Sequence, residues 1–319
     1  MNKRLSLCMI GFGNAGKEFC KMLLEQHNMI KDTYDYEVLV NTISTKSKGT
    51  LCASNGVDIN RALEEVERFG KFSKDNPQLV QYNSIDAIKN SKADVLVELS
   101  TLSIKDGQPA ISHIETAINN NMHVITANKG PIAWAYKRLK GMADERELSL
   151  LHETVVLDGA PVFNLVRDTL PGCKVLTFKG IVNSTTNFIM EEMEAGDVFL
   201  VDDWSSYEEH KCFINCSSWW DAALKEAQRR GFAESDPSLD IDGWDAAGKT
   251  AALINVLMDG SVTPMDIDRT GISHITLKDL EEAKKKGGKI KLLCEGYKDG
   301  NIIKGRVYPG FVNNKDIFS

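Results

Sequence analysis

Residues 231–249 read G-F-A-E-S-D-P-S-L-D-I-D-G-W-D-A-A-G-K and bring five carboxylates and one lysine into 19 positions punctuated by Gly and Pro. An ordinary acidic surface alternates Glu with Lys at helical spacing. Like charges crowded as they are here cost energy unless a cation or proton donor stands among them. Asp242 has the chemistry of an N-cap and Asp245, three positions on, that of a capping-box acid, so a helix is expected to start there. Its buried stripe would be Ala247, Ala251, Ile254 and Met258. Asp245 and Lys249 then lie one turn apart on one face. Alone they are either a surface salt bridge or an acid–base pair, and the four acids of the lead-in favour the second. Carboxylates can hold an ammonium group, and a lysine can polarise a reacting oxygen or exchange its proton.

A second lysine stands at a chemically exposed position. The apolar run H-V-I-T-A at 123–127 ends in N-K-G-P, which puts Lys129 at a strand exit. The run A-D-V-L-V-E-L-S at 93–100 ends similarly at Glu98, Ser100 and Thr101. Open α/β sheets bind ligands at such carboxyl edges, although Lys129 taken alone fits a surface lysine equally well. The start of the chain has the same logic. Residues 5–10 form an apolar strand that runs into Gly11-Phe12-Gly13-Asn14-Ala15-Gly16, and a helix is expected over 17–27. Glycines at this spacing allow a tight turn and close approach of a pyrophosphate to a helix N-terminus. The next strand, 37–43, ends in S-T-K-S-K-G, with no acid to hold a ribose 2'-hydroxyl. Thr45, Lys46, Ser47 and Lys48 suit a 2'-phosphate, which favours NADP over NAD, against the alternative of a lysine-rich exposed turn.

These groups need a scaffold with two parts. A chain of 319 residues exceeds a single ordinary core, so two domains are expected: 1–150, a Rossmann-type doubly wound parallel α/β sheet, and 151–319, an α+β substrate and dimerisation domain. The hydrophobic fraction is 42% and no apolar run is long enough to cross a bilayer. The first glycines arrive too early for a signal-peptide core, which points to the cytoplasm. The net charge of −7, with no basic block beyond residues 284–286, gives no support to nucleic-acid binding. Seven scattered cysteines suit a reducing compartment. Cys212 and Cys216 beside His210 lack a second pair to complete a zinc site.

With these motifs assembled, the chain resembles homoserine dehydrogenase. The resemblance is carried by G-F-G-N-A-G at 11–16, T-A-N-K-G-P at 126–131, G-I-V-N-S-T-T-N-F-I at 180–189 and A-E-S-D-P-S-L-D-I-D-G-W-D-A-A-G-K at 233–249. It implies NAD(P)-dependent interconversion of L-aspartate 4-semialdehyde and L-homoserine, in a homodimer, with no catalytic metal. It also implies roles: Glu234 and Asp240 as substrate ligands, Asp245 as a site-organising acid, and Lys129 and Lys249 as the lysines on the reacting oxygen. Ser100 and Lys129 would flank the nicotinamide. Glu153 with the backbone carbonyls of Val156, Asp158 and Ala160 would hold a monovalent cation such as sodium or potassium. Two departures stand against the family pattern. Residues 197–221 form an aromatic-rich insert, readable as a lid, a dimer contact or part of the substrate domain. The sequence stops at residue 319, where the family pattern is expected to continue into a closing tail. A dehydrogenase of another amino-acid semialdehyde or β-hydroxy acid, or an inactive dinucleotide-binding relative, remain the alternatives.

Overall fold

The computed structural model describes residues 3–195, 219–233 and 236–319, which divide into two compact units, Met1–Pro171 and Gly172–Ser319. In the first, β1 (Lys3–Ile10) leads into α1 (Asn14–Glu25) and α2 (His27–Tyr34), and β2 (Tyr36–Thr45) returns parallel to β1. A turn at 46–48 folds β3 (Gly49–Cys52) back antiparallel on β2. There follow α3 (Ile59–Phe69), β4 (Leu79–Val80), α4 (Ser84–Ser91), β5 (Val95–Glu98), α5 (Ala110–Asn119), β6 (His123–Thr126), α6 (Lys129–Asp144), β7 (Leu150–Leu151), α7 (Thr154–Leu157) and α8 (Val162–Thr169). The seven strands lie in the order β4-β3-β2-β1-β5-β6-β7.

Alternation along β1 explains the double layer. Cys8 and Ile10 point into a cluster with Leu96, Ile114, Ile118 and Leu139, whereas Leu7 and Met9 join Cys20, Ile43, Ala62 and Val97 on the other face. The expected doubly wound sheet is present, with a difference at one edge. β3 and β4 run antiparallel to their neighbours, because β2 ends in a hairpin turn instead of a crossover helix. Residues 151–171 pack with the first unit. Both oxygens of Glu153 accept the N–H groups of Phe163 and Asn164 at 2.8 Å, which caps α8. The His152 ring stands edge-on to Tyr136 and Phe163, with centroids 5.1 and 5.0 Å away.

The second unit comprises β8 (Thr177–Gly180), α9 (Ser184–Ala195), α10 (Trp219–Arg229), α11 (Ser238–Ile241), α12 (Trp244–Leu257), β9 (Asp268–Arg269), α13 (Leu277–Lys285), β10 (Gly288–Asp299) and β11 (Ile302–Asn313). Its sheet has the order β8-β10-β11-β9. Gly296 and Gly305 face each other across β10 and β11. A Cβ at either would stand within 2.9 Å of the Ile254 side chain. The glycine pair is therefore the dent in which α12 seats. α12 is buried nearly all round, from Ala246 to Asn255 with Lys249 the half-buried exception. Ala247, Ala251 and Ile254 of the expected stripe are thus only part of the buried surface, and Met258 lies half-buried at the C-cap. Of the insert at 197–221, residues 197–218 lie outside the described residues, together with Cys212, Cys216 and His210, and the last three open α10.

Among the described residues, no helix is long and apolar enough to cross a membrane.

Candidate active site

On the first unit, the exits of β1 and β5 lie side by side where the chain changes direction across the sheet. The Gly11 N–H donates to Ser44 O at 2.9 Å and the Leu99 N–H to Ile10 O at 2.7 Å, which closes the turn. The three motif glycines have different reasons. Gly11 has φ 111°, and a Cβ there would stand 2.2 Å from Leu99 O; at Gly16 it would stand 2.7 Å from Gly11 O. At Gly13 a Cβ would meet no protein atom within 4 Å. Gly13 is the N-cap of α1 and makes no side-chain cap, while Asn14 and Ala15 are exposed beside it. An uncapped helix N-terminus behind an open glycine is the geometry that accepts a diphosphate. The fit is therefore good for a dinucleotide.

Thr45 ends β2, and its hydroxyl accepts the Lys48 N–H at 2.7 Å. Lys46 stands exposed at the turn and Lys48 is half-buried. Ser100 follows β5, and its carbonyl accepts from the Asn128 amide at 3.0 Å. The other end of that amide caps α6 by accepting the Gly130 N–H at 3.0 Å, with half-buried Lys129 as the first helical residue. Ser100 and Lys129 are thus brought to one edge, as the strand-exit pattern expects.

On the second unit the acids converge through a residue that the sequence motifs contained but did not single out. Asn183, 4% exposed, lies between β8 and α9. Its Nδ2 donates to Asp240 Oδ1 at 2.7 Å and to Asp245 Oδ2 at 3.0 Å. Its Oδ1 accepts from the Thr186 N–H and hydroxyl at 2.8 and 2.9 Å. The donors of one amide therefore hold two carboxylates together, while its oxygen is fixed by Thr186. Lys249 forms the ion pair with Asp245 at 3.3 Å and donates to Val182 O at 2.8 Å. Behind it, burial pushes the Cys294 thiol up to about 11, against a hydrogen bond with Thr250 that acts the other way.

The expected cap is displaced. Asp242 ends α11, and the N-cap of α12 is Gly243 at φ 77°, with no side-chain cap. The cause is the extra turn of α11, which occupies the residues just before the expected helix start. The segment is clamped from outside. The Arg269 guanidinium donates to Asp242 O and lies 3.7 Å over the Trp244 ring, and the Ile272 N–H donates to Ile241 O at 2.9 Å. Glu234 lies outside the described residues.

Of the expected cation ligands, Glu153 caps α8, Val156 is buried in α7, and Asp158 (φ 48°) and Ala160 are exposed. The Ala160 carbonyl accepts the Val162 N–H at 2.9 Å. No group of three or more His, Cys, Asp or Glu among the described residues could hold a metal ion.

Comparison with known proteins places these groups in a context. The model of the homoserine dehydrogenase family matches residues 161–319. The chain is 36% identical over 299 residues to a homoserine dehydrogenase of Methanocaldococcus jannaschii, covering 94% of this chain and 82% of that protein. It is 28% identical over 309 residues to an NAD(+)-dependent homoserine dehydrogenase of Pseudomonas canavaninivorans, covering 97% and 82% respectively. A crystal structure of an Archaeoglobus fulgidus chain assigned as a homoserine dehydrogenase superposes with a TM-score of 0.81 at 26% identity, over 98% of this chain and 86% of that one.

Proposed function

The chain belongs to the homoserine dehydrogenase family, and from that premise we propose that it reduces L-aspartate 4-semialdehyde reversibly to L-homoserine with NADPH. The observation that carries the reading is the Asn183 amide shared between Asp240 and Asp245, with Lys249 fixed one helical turn beyond. Asp245 is paired with Lys249, and the Asp240 carboxylate tied to it through Asn183 suits the ammonium of an amino acid. Glu234 and Asp240 bind that ammonium, and Asp245 orients Lys249. When bound, NADPH supplies the hydride to the aldehyde carbon. As the carbonyl π pair moves onto oxygen, Lys249 and Lys129 stabilise the developing charge. Lys249 then gives its proton to that oxygen and is reprotonated from water, which leaves the primary alcohol. In the oxidative direction the Lys249 amine takes the proton back.

Gly11, Gly13, Asn14, Ala15 and Gly16 cradle the pyrophosphate, and Thr45, Lys46 and Lys48 take a 2'-phosphate. Glu153 with the carbonyls of Val156, Asp158 and Ala160 holds a monovalent cation, so activity in potassium or sodium chloride should exceed that in choline chloride. The active species is a cytoplasmic homodimer, for which light scattering should give twice the chain mass. The deciding experiment follows NADPH absorbance with L-aspartate 4-semialdehyde and a panel of other semialdehydes, with NADH in parallel. Oxidation of NADPH by this substrate, with kcat/KM roughly tenfold above that for NADH, is expected. Tight NADPH binding with no oxidation would reject the enzyme reading, and an equal or better rate with NADH would reject the NADP preference.

A further inference from the structure

We propose that Glu98, held by His113, is a positioning residue that fixes Ser100 and Lys129 at the nicotinamide end of the dinucleotide; the inference rests on the dehydrogenase reading above. Glu98 is the last residue of β5 and is fully buried. Its Oε1 accepts the Ser100 N–H at 3.2 Å and the Ser100 hydroxyl, and its Oε2 accepts the Thr126 hydroxyl at 3.3 Å. His113, 2% exposed on α5, donates from Nδ1 to the same Oε1 at 3.2 Å, while its Nε2 shares a 2.8 Å hydrogen bond with Ser84 Oγ. The Thr126 oxygen accepts the Asn128 N–H at 3.0 Å, and the Asn128 amide returns to Ser100 O at 3.0 Å. The bonds close into a ring, Glu98 to Thr126 to Asn128 to Ser100, that ties the exit of β5 to the exit of β6. Lys129 follows Asn128 directly as the first residue of α6, so the ring holds the backbone from which it projects.

Stability alone does not account for a carboxyl group here. Burying one costs several kcal/mol before its partners offset it, and a packed apolar residue would hold the end of a central strand as well. What an apolar residue cannot do is set the orientation of two loops at once. Reaction of a bound pair is sensitive to displacements of about an ångström, so the ring matters most where the hydride leaves.

The test compares Glu98→Gln, His113→Leu, His113→Asn and Thr126→Val. Each is measured for NADPH Kd, for the emission of the bound nicotinamide, for kcat with the semialdehyde, and for the primary deuterium isotope effect with 4-deuterated NADPH. Glu98→Gln, His113→Leu and Thr126→Val should keep Kd within about threefold, since the pyrophosphate loop is untouched. Their kcat should fall about tenfold or more, with a larger isotope effect and altered bound emission. His113→Asn, whose amide nitrogen stands near the position of Nδ1, should recover most of both signals. Unchanged emission and kcat overturn the proposal, as does a parallel loss of kcat, NADPH affinity and melting temperature. Thr126→Val breaks the ring without touching the charge, so a failure of Glu98→Gln to fold does not stop the test. Emission needs no second substrate: a wild-type protein that binds NADPH but ignores the semialdehyde rejects the homoserine reading and leaves this one to be decided by emission.

Discussion

Lys249 is anchored by the Val182 carbonyl and the Asp245 carboxylate, which fix Nζ at the head of its own side chain. Lys249→Met keeps the aliphatic stem and removes the ammonium, so kcat should fall by a factor of about 10²–10⁴ while NADPH affinity stays level. An unchanged kcat in steady-state assay would remove Lys249 from the chemistry. Asn183→Leu removes the amide that bridges Asp240 and Asp245. KM for the amino-acid substrate should rise at least about tenfold, with roughly 1–3 kcal/mol lost in urea unfolding. An unaltered KM would show that the acids do not meet the substrate. The Asp245–Lys249 pair was legible in the sequence because helical spacing alone puts the two on one face. Asn183 was not, since its partners lie 57 and 62 positions away and only folding brings them together. The available signal was its place in N-S-T-T-N, an amide directly between a strand and a helix.

Among the elements, the β1–loop–α1 unit was legible because its glycines are demanded locally. The structure divides their roles, and this division can be measured. Gly13→Ala adds a methyl group where no protein atom lies, so the melting temperature should hold while NADPH affinity falls by about tenfold or more. Gly11→Ala forces a Cβ to within 2.2 Å of Leu99 O at a left-handed φ of 111°, and should destabilise the protein even without cofactor. Equal effects of the two substitutions on stability would contradict the assignment. The start of α12 was misread for a physical reason. Asp242 has good capping chemistry, but α11 and the left-handed Gly243 absorb the turn, and the external hold comes from Arg269. No local pattern around Asp242 announces an arginine 27 positions on. The edge hairpin was likewise missed, because an apolar strand ending in polar residues reads alike before a turn or a crossover.

For the molecule as a whole, the first unit carries a built-in dependence on acidity. Burial pushes His152 down from 6.5 to about 4, and its Nδ1 has no hydrogen-bond partner among the described residues. The unfolded chain therefore binds a proton that the folded unit refuses. The stabilisation from keeping this ring neutral is complete above pH 6.5 and is lost as the pH falls toward about 4. The full window corresponds to about 3 kcal/mol. Urea unfolding at about pH 7.5 and about pH 4.5 should show this loss in the wild type and a smaller one in His152→Phe, where no such proton binds. An identical pH dependence in the two proteins would rule His152 out as the source. At the sheet edge, the turn at 46–48 is secured by the Thr45 hydroxyl on the Lys48 N–H and by the Lys48 carbonyl on the Phe72 N–H, at 2.7 and 3.0 Å. These contacts use the main chain of Lys48 and leave the side chains of 46–48 outside the bargain. Under the proposed 2'-phosphate role, those side chains can be exchanged, and with them the nucleotide chosen, without disturbing the fold.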